Sequence, residues 1–268
     1  MAINNLIAKK IQKLDELCLI FCKATKIPYI ECNPETFDDQ AFAFANEEDA
    51  KEMLDKYKEE KKMILGIGKI PKQHIMPFIT SLYAYGINAL VYKDTEAVRV
   101  QLEELAPKPD IEKLKNEKVP KMNPDLQLTV AYFLQDVRRK DVERTQEERI
   151  QLHQMEEEMS VNLFRSRYII GIDLTENGGK LDKEHPKFKL PFIKLQNGDT
   201  FVPCFSDFSE FQKFQVKNKE MKMSMLTVKY SDIKQFTTQS KGAVINPMGV
   251  NLVLSNTTIK KLQESYGE

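Results

Sequence analysis

The chain repeats itself at a fixed spacing, and that constrains its fold more than any single motif does. The phrase AFAFANEEDAKEML around residue 44 returns as VPCFSDFSEFQKFQ around residue 205, and ILGI at 64–67 returns as MLTV at 225–228. Both pairs read as one offset of 161 residues. A shared offset across two separate elements predicts two versions of one domain laid end to end. What both copies keep is then architecture. What only one copy has is where a site should be sought.

The bulk numbers fit two ordinary domains. The 268 residues are 41% hydrophobic, enough for two cores, and Lys+Arg and Asp+Glu each total 40. With zero net charge, no overall field draws the protein to nucleic acid or to an acidic membrane, and neither is expected as a partner. The opening MAINNLIAKKIQKL places Ile3, Leu6, Ile7, Ile11 and Leu14 at helical spacing between lysines, unlike a signal peptide. No run approaches the ~18 apolar residues of a membrane span. The expected location is cytoplasmic. Cys18, Cys22, Cys32 and Cys204 are unevenly spread and make no disulfide framework. Cys18 and Cys22 fall on a strand-like run, LCLIFC, with no histidine near, and read as buried thiols; no metal and no cofactor is expected.

The fold class expected is α+β, or mixed α/β: a tandem pair of domains, each a mixed sheet with a β-hairpin, covered by helices. The first domain spans 1–107, a Pro/Lys-rich linker 108–122 (the whole low-periodicity stretch being 106–122), and the second domain, with an N-terminal helical extension, 123–268. In the first copy a helix over 4–14 leads into LCLIFC, a short strand IPYIEC and the strand QAFAFA. Asn46 reads as the N-cap of a helix whose Ala50, Met53, Leu54 and Tyr57 share one face. Next come the strand MILGI, a helix near 72–84, the strand INALVY and a helix from about Thr95 to Leu105. Asn123-Pro124 opens a helix that runs on into a charged helical region, 138–160.

The second copy keeps this order. RYIIGIDL parallels LCLIFC, and LPFIKLQ follows a long polar loop. Asn197-Gly198 signals a two-residue hairpin into DTFVPCF. Asp207 caps the next helix with Glu210 three residues on, as Asn46 does with Asp49. Phe211 and Phe214 fall where Ala50 and Met53 fall, so the buried face is kept. MSMLTVKY, a short helix, GAVIN and a helix from about Asn256 to Glu264 complete it.

The copies part after GAVIN. The first reads as running through KDT into its last helix, whereas the second has GAVINPMGVNLVLSNTT. Pro247 fixes one turn angle, and Gly249 is read as permitting a backbone conformation closed to other residues. Asn246 and Asn251 flank the turn with amides that either bind a ligand or brace the loop. Pro203 and Cys204 form a second candidate, since Cys204 precedes a helix N-terminus, where a dipole favours a thiolate. Asn246, Pro247, Gly249, Asn251, Pro203 and Cys204 are thus the candidate binding residues.

The stretches LPFIKLQNGDTFVPCFSDFSEFQKF and GAVINPMGVNLVLSNTTIKKL resemble the SseB family, named for enhanced serine sensitivity, clearest over 190–262. The first copy looks like a degenerate relative. The resemblance implies a small cytoplasmic α/β domain, common in bacteria, with no established reaction, and it transfers no active residues.

No catalytic set emerges. His74, His153 and His185 lack a Ser, Cys or metal partner at motif spacing, and GIGK at 66–69 lacks the spacing of a phosphate loop and reads as strand. The leading expectation is a non-enzymatic interaction or binding module with another protein as partner. The alternative is a small-molecule sensor or enzyme with a pocket at the 246–251 loop. A sensor requires a closed pocket of ~300 Å³ beside that loop; an interaction module requires an exposed apolar patch.

Overall fold

The structure is a computed structural model describing residues 2–179 and 188–267. Most of the polar loop before Leu190, His185 included, lies outside the described residues. The chain opens with α1 (Ala2–Lys13), β1 (Glu16–Cys22), β2 (Ile27–Pro28), β3 (Glu31–Cys32), β4 (Asp39–Phe44), α2 (Glu47–Lys61), β5 (Leu65–Pro71), α3 (Lys72–Ser81), β6 (Ala89–Lys93), β7 (Ala97–Gln101) and α4 (Leu102–Leu105). It continues with α5 (Ile111–Asn116), α6 (Pro124–Val137), α7 (Gln146–Arg165), β8 (Arg167–Asp173), β9 (Ile193–Lys194), β10 (Thr200–Phe205), α8 (Phe208–Lys217), β11 (Met223–Lys229), α9 (Ile233–Phe236), β12 (Gly242–Ile245), β13 (Leu252–Ser255) and α10 (Asn256–Tyr266). Two compact units result: residues 1–110 with 127–156, and residues 111–126 with 157–268.

In the first unit β1 is central. Its Cys18 faces Lys69 of β5 on one side and Phe44 of β4 on the other, both antiparallel. β4 runs parallel to β6, and β6 pairs antiparallel with β7. The run LCLIFC is apolar throughout because both faces of β1 are covered. Cys18, Ile20 and Cys22 pack with Phe42 and Phe44 beneath Ala50, Met53, Leu54 and Tyr57 of α2. That burial, at ~1.5–3 kcal/mol per large side chain, holds α2 to the sheet. α3 covers the opposite face and is met by α1 and α4. The two reads of Cys18 and Cys22 as core thiols match their exposures of 3% and 1%.

The second unit has the same topology. β8 is central, antiparallel to β11 and to β10; β10 runs parallel to β12, and β12 pairs antiparallel with β13. Asn197-Gly198 makes the expected tight turn, with Gly198 at φ 88° and its N–H donating to the Leu195 carbonyl at 3.0 Å. The mixed α/β fold in two similar sheet-and-helix units is therefore present as expected. β4 and β10 coincide at the 161-residue offset, and so do the caps: Asn46 accepts from the Asp49 N–H and Asp207 from the Glu210 N–H.

Several sequence expectations are corrected. The offset does not extend to ILGI and MLTV. Gly68 stands opposite Leu19, and Leu226 stands opposite the equivalent Ile170, so the pairing of Leu65 with Leu226 slips by three residues. The 15-residue α2 is longer than the 10-residue α8, and the shortening is absorbed there. Residues 97–101 are a strand, not part of a helix from Thr95 to Leu105; Ala97–Gln101 zips along β6, and only Leu102–Leu105 is helical. Strand pairing outweighs the local helical pattern at Val98 and Val100. The stretch read as linker contains α5 and is structural: the Phe208 N–H donates to the Pro120 carbonyl at 2.8 Å, and Val119 packs on the core of the second unit. The charged region is not one helix but breaks between Val137 and Gln146. Residues 127–137 of α6 serve the first unit, where Gln135 bonds both the N–H and the carbonyl of Ile30 at 3.0 and 2.9 Å.

Candidate functional site

The hairpin loop after the parallel strand pair is where the two units differ. Both have it. In the first unit Lys93 pairs with Ala97, leaving residues 94–96 as the loop. In the second, Ile245 pairs with Leu252, leaving residues 246–251. The contrast is not a helix against a loop: between the equivalent pairs Tyr92–Val98 and Ile245–Leu252 the connections are residues 93–97 and 246–251, and the first adds one more pair, Lys93–Ala97, which leaves three residues unpaired against six.

The longer loop braces itself. Asn246 is 1% exposed. Its Oδ1 accepts the Ser206 N–H at 2.9 Å and its Nδ2 donates to Ser206 Oγ at 2.8 Å. Ser206 Oγ donates in turn to Asp207 Oδ2, so the loop is tied to the cap of α8. The Gly249 and Asn251 N–H groups both return to the Asn246 carbonyl at 2.9 Å, with Pro247 at the second turn position. The left-handed conformations fall on Asn246 (φ 50°) and Asn251 (φ 52°), not on Gly249. Asparagine tolerates that region because its short amide bonds locally. Gly249 is favoured for a different reason: a Cβ there would lie 2.8 Å from Glu210 Oε2, so the Glu210 carboxylate would have to shift. Small size, not backbone freedom, is what the position uses.

The second candidate pair is also absorbed into packing. Cys204 is fully buried between β8 and β12, and burial pushes its thiol up to about 12. Desolvation outweighs the helix dipole, so the thiolate expected before the helix does not form at neutral pH. Pro203 sits in β10 between the residues that pair with β9 and those that pair with β8. A central strand tolerates proline there because the antiparallel ladder changes partner at that point.

Of the loop's apolar residues, Val250 is 1% exposed and Met248 is half-buried. Met248 packs on the cluster of Ile169, Phe205, Phe211 and Phe214. The equivalent surface of the first unit carries no such plug. There a cleft of about 260 Å³ has Phe42, Phe44 and Val91 at its base and Met53 and Tyr57 along one side. Phe44 corresponds to Phe205 and Met53 to Phe214, so the cleft lies where the second unit places Met248 and a larger ring. Tyr29, Phe42 and Tyr57 form an aromatic cluster at one end, with centroids 5.7–6.2 Å apart.

The rim of the cleft is charged. Lys93 Nζ lies 2.9 Å from Asp49 Oδ1 and 3.0 Å from Glu52 Oε2. Hydrogen bonds from Lys93 and Asn46 hold the Asp49 carboxyl below its ordinary 3.8. In the second unit the same three positions are Asn246, Glu210 and Lys213. The lysine has moved from the strand to the helix, where it pairs with Glu210. The sequence contained this swap, and Phe42, Met53, Tyr57, Val91 and Lys93 could have been found by asking what the first copy puts opposite the Asn-Pro loop.

His74 and His153 are exposed on helices. Among the described residues no group of three or more His, Cys, Asp or Glu is placed to hold a metal, and no helix is long and apolar enough to cross a membrane. The geometry is that of two α/β units, the first of which has an open cleft. The family model for the SseB protein N-terminal domain matches residues 136–261. That part of the chain is similar to the SseB N-terminal domain, and the match begins well before the 190–262 stretch that carries the resemblance in the sequence. No curated protein matches the chain. Among solved structures it is similar to Anabaena Tic22 (protein transport), at 12% identity over 89% of this chain and 92% of that one, with a TM-score of 0.22. It is likewise similar to Tic22 from Plasmodium falciparum, at 13% identity over 97% and 96%, with a TM-score of 0.21. Superposition that loose carries no argument about mechanism.

Proposed function

We propose that this SseB-like chain is a non-enzymatic, cytoplasmic interaction module, and that its docking site is the cleft of the first unit. The occupant is an apolar, methionine- or leucine-like side chain of a protein partner, presented on a turn. One observation carries the reading: the second unit fills the equivalent place with its own Met248. The chain thus contains a template for its ligand, an apolar side chain on a tight loop lying against a phenylalanine-rich cluster. The charged rim suits a partner that brings both signs, since Asp49 and Glu52 stand beside Lys56 and Lys93. Thioether and aromatic groups attract each other modestly, and a flexible cleft residue such as Met53 adapts to varied partners. On this reading the 246–251 loop is the template and not the pocket.

The test is a loop exchange. Residues 94–96 are replaced by the six residues 246–251 in the full chain, once with the methionine kept and once with serine in its place. Binding to an array of ten-residue peptides is then compared with wild type. The reading expects peptides with a single central Met or Leu to bind wild type and the serine graft, and to be lost with the methionine graft. Peptide binding that is indifferent to the methionine would refute it.

A further inference from the structure

The opposite flank of α2 carries a second concavity, of about 580 Å³, whose chemistry is different. Three chain reversals meet there, and each contributes lysine. Lys23 follows β1; its N–H donates to the Ile64 carbonyl at 2.8 Å. Its aliphatic stem lies over Gly66, where a Cβ would come within 2.6 Å of the Lys23 Cε. Lys58 and Lys62 stand one turn apart at the end of α2, with Lys62 held left-handed at φ 54° as the cap. Lys140 follows α6, next to Asp141 at φ 53°. Four lysines and a single aspartate, Asp141, therefore line one concavity.

The contrast with neighbouring lysines gives the cluster its meaning. Lys61, Lys69 and Lys93 each pair with a carboxylate. Among the described residues, Lys23, Lys58, Lys62 and Lys140 make no salt bridge. A chain with 40 acidic side chains has carboxylates enough to pair them. Instead like charges are gathered in one concavity, an arrangement that repels itself until an anion enters. The floor is apolar, with Leu54 and Met63 among its lining.

We infer that this concavity binds a small organic polyanion, a phosphorylated molecule whose phosphates lie among the four lysines and whose flat or apolar body rests on Leu54 and Met63. Lysine serves phosphate as a mobile point charge, so several are needed where a single arginine fork would otherwise do. The inference is independent of the docking cleft, since neither set of residues lines the other site.

Isothermal titration of the full chain at physiological salt tests it with ATP, inorganic tripolyphosphate and adenosine. ATP is expected to saturate a single site, tripolyphosphate to bind more weakly, and adenosine not to bind. Tripolyphosphate binding as tightly as ATP would remove the role of the apolar floor and overturn the organic-ligand assignment. Two variants, Lys58→Gln/Lys62→Gln and Lys23→Gln/Lys140→Gln, alter only exposed side chains. Each should weaken ATP by about tenfold or more while leaving the melting temperature in place. Failure of ATP to saturate, or unchanged affinity in both variants, would overturn the site. The methionine loop graft should bind ATP as wild type does, which separates this failure from that of the docking cleft.

Discussion

The first and second units share one strand order, one set of strand directions and one capping pattern, yet they close the same hairpin differently. The second uses six residues, two of them asparagines in left-handed backbone, and covers its aromatic core with Met248. The first uses three and leaves Phe42, Phe44 and Val91 facing a cleft. The lesson is that the surface that separates two copies of a repeat need not lie where one copy has gained a motif. On the proposed reading the conspicuous motif is a plug, and the place without it is the opening.

That comparison can be broken first at its aromatic cores. Phe205 is fully buried against Phe211 and Phe214, with centroids 5.5 and 5.3 Å away. Phe205→Ala should cost about 3–5 kcal/mol in urea unfolding. Phe44→Ala, at the equivalent site beside an open cleft, should cost less; equal losses would mean the cleft is closed in solution. The next test is the pair of equivalent strand-end residues. Asn246→Ala leaves the buried Ser206 N–H without its acceptor, though the hydroxyl keeps Asp207, and should destabilise by about 2 kcal/mol. Lys93→Ala, whose ion pairs reach solvent, should change the unfolding midpoint far less. A reversal of that order would sink the assignment of Asn246 as a brace. Gly249→Ala should follow at about 1 kcal/mol, because its new methyl meets the Glu210 carboxylate; relief of the loss by Glu210→Ala in the same chain would locate the clash.

The smallest effect is electrostatic. The Asp49 carboxyl is depressed, chiefly by its hydrogen bond from Lys93. A depressed carboxylate contributes stability that is present above its ordinary 3.8 and is lost as pH falls through the folded value. NMR titration of Asp49 should therefore give a midpoint below 3.8 in wild type that returns towards it in Lys93→Met. An unmoved midpoint would show that the rim pair does not exist in solution.

Much of this was legible in the residues. The caps Asn46 and Asp207, the buried helix faces and the Asn197-Gly198 hairpin all follow from local chemistry, so they read correctly. What failed depended on partners distant in sequence. Residues 97–101 pattern as helix alone and become strand only beside β6. The slip between ILGI and MLTV is invisible until β1 and β8 supply a register. The role of Gly249 depends on Glu210, thirty-nine residues earlier, and Cys204 looked reactive only while its burial was unknown. The cleft was hidden for another reason: it consists of ordinary core residue types, and only the missing cover distinguishes it.

The central claim, that the first unit leaves open what the second covers, can be read by chemical access. In a Cys32→Ser background, which removes the one exposed native thiol, Met53→Cys places a reporter in the cleft. Its maleimide labelling rate is measured with the native 94–96 loop, with the 246–251 graft, and with the graft carrying serine for methionine. The account predicts rapid labelling in the first and third proteins, and protection of about tenfold or more in the second. Equal rates in all three would contradict it.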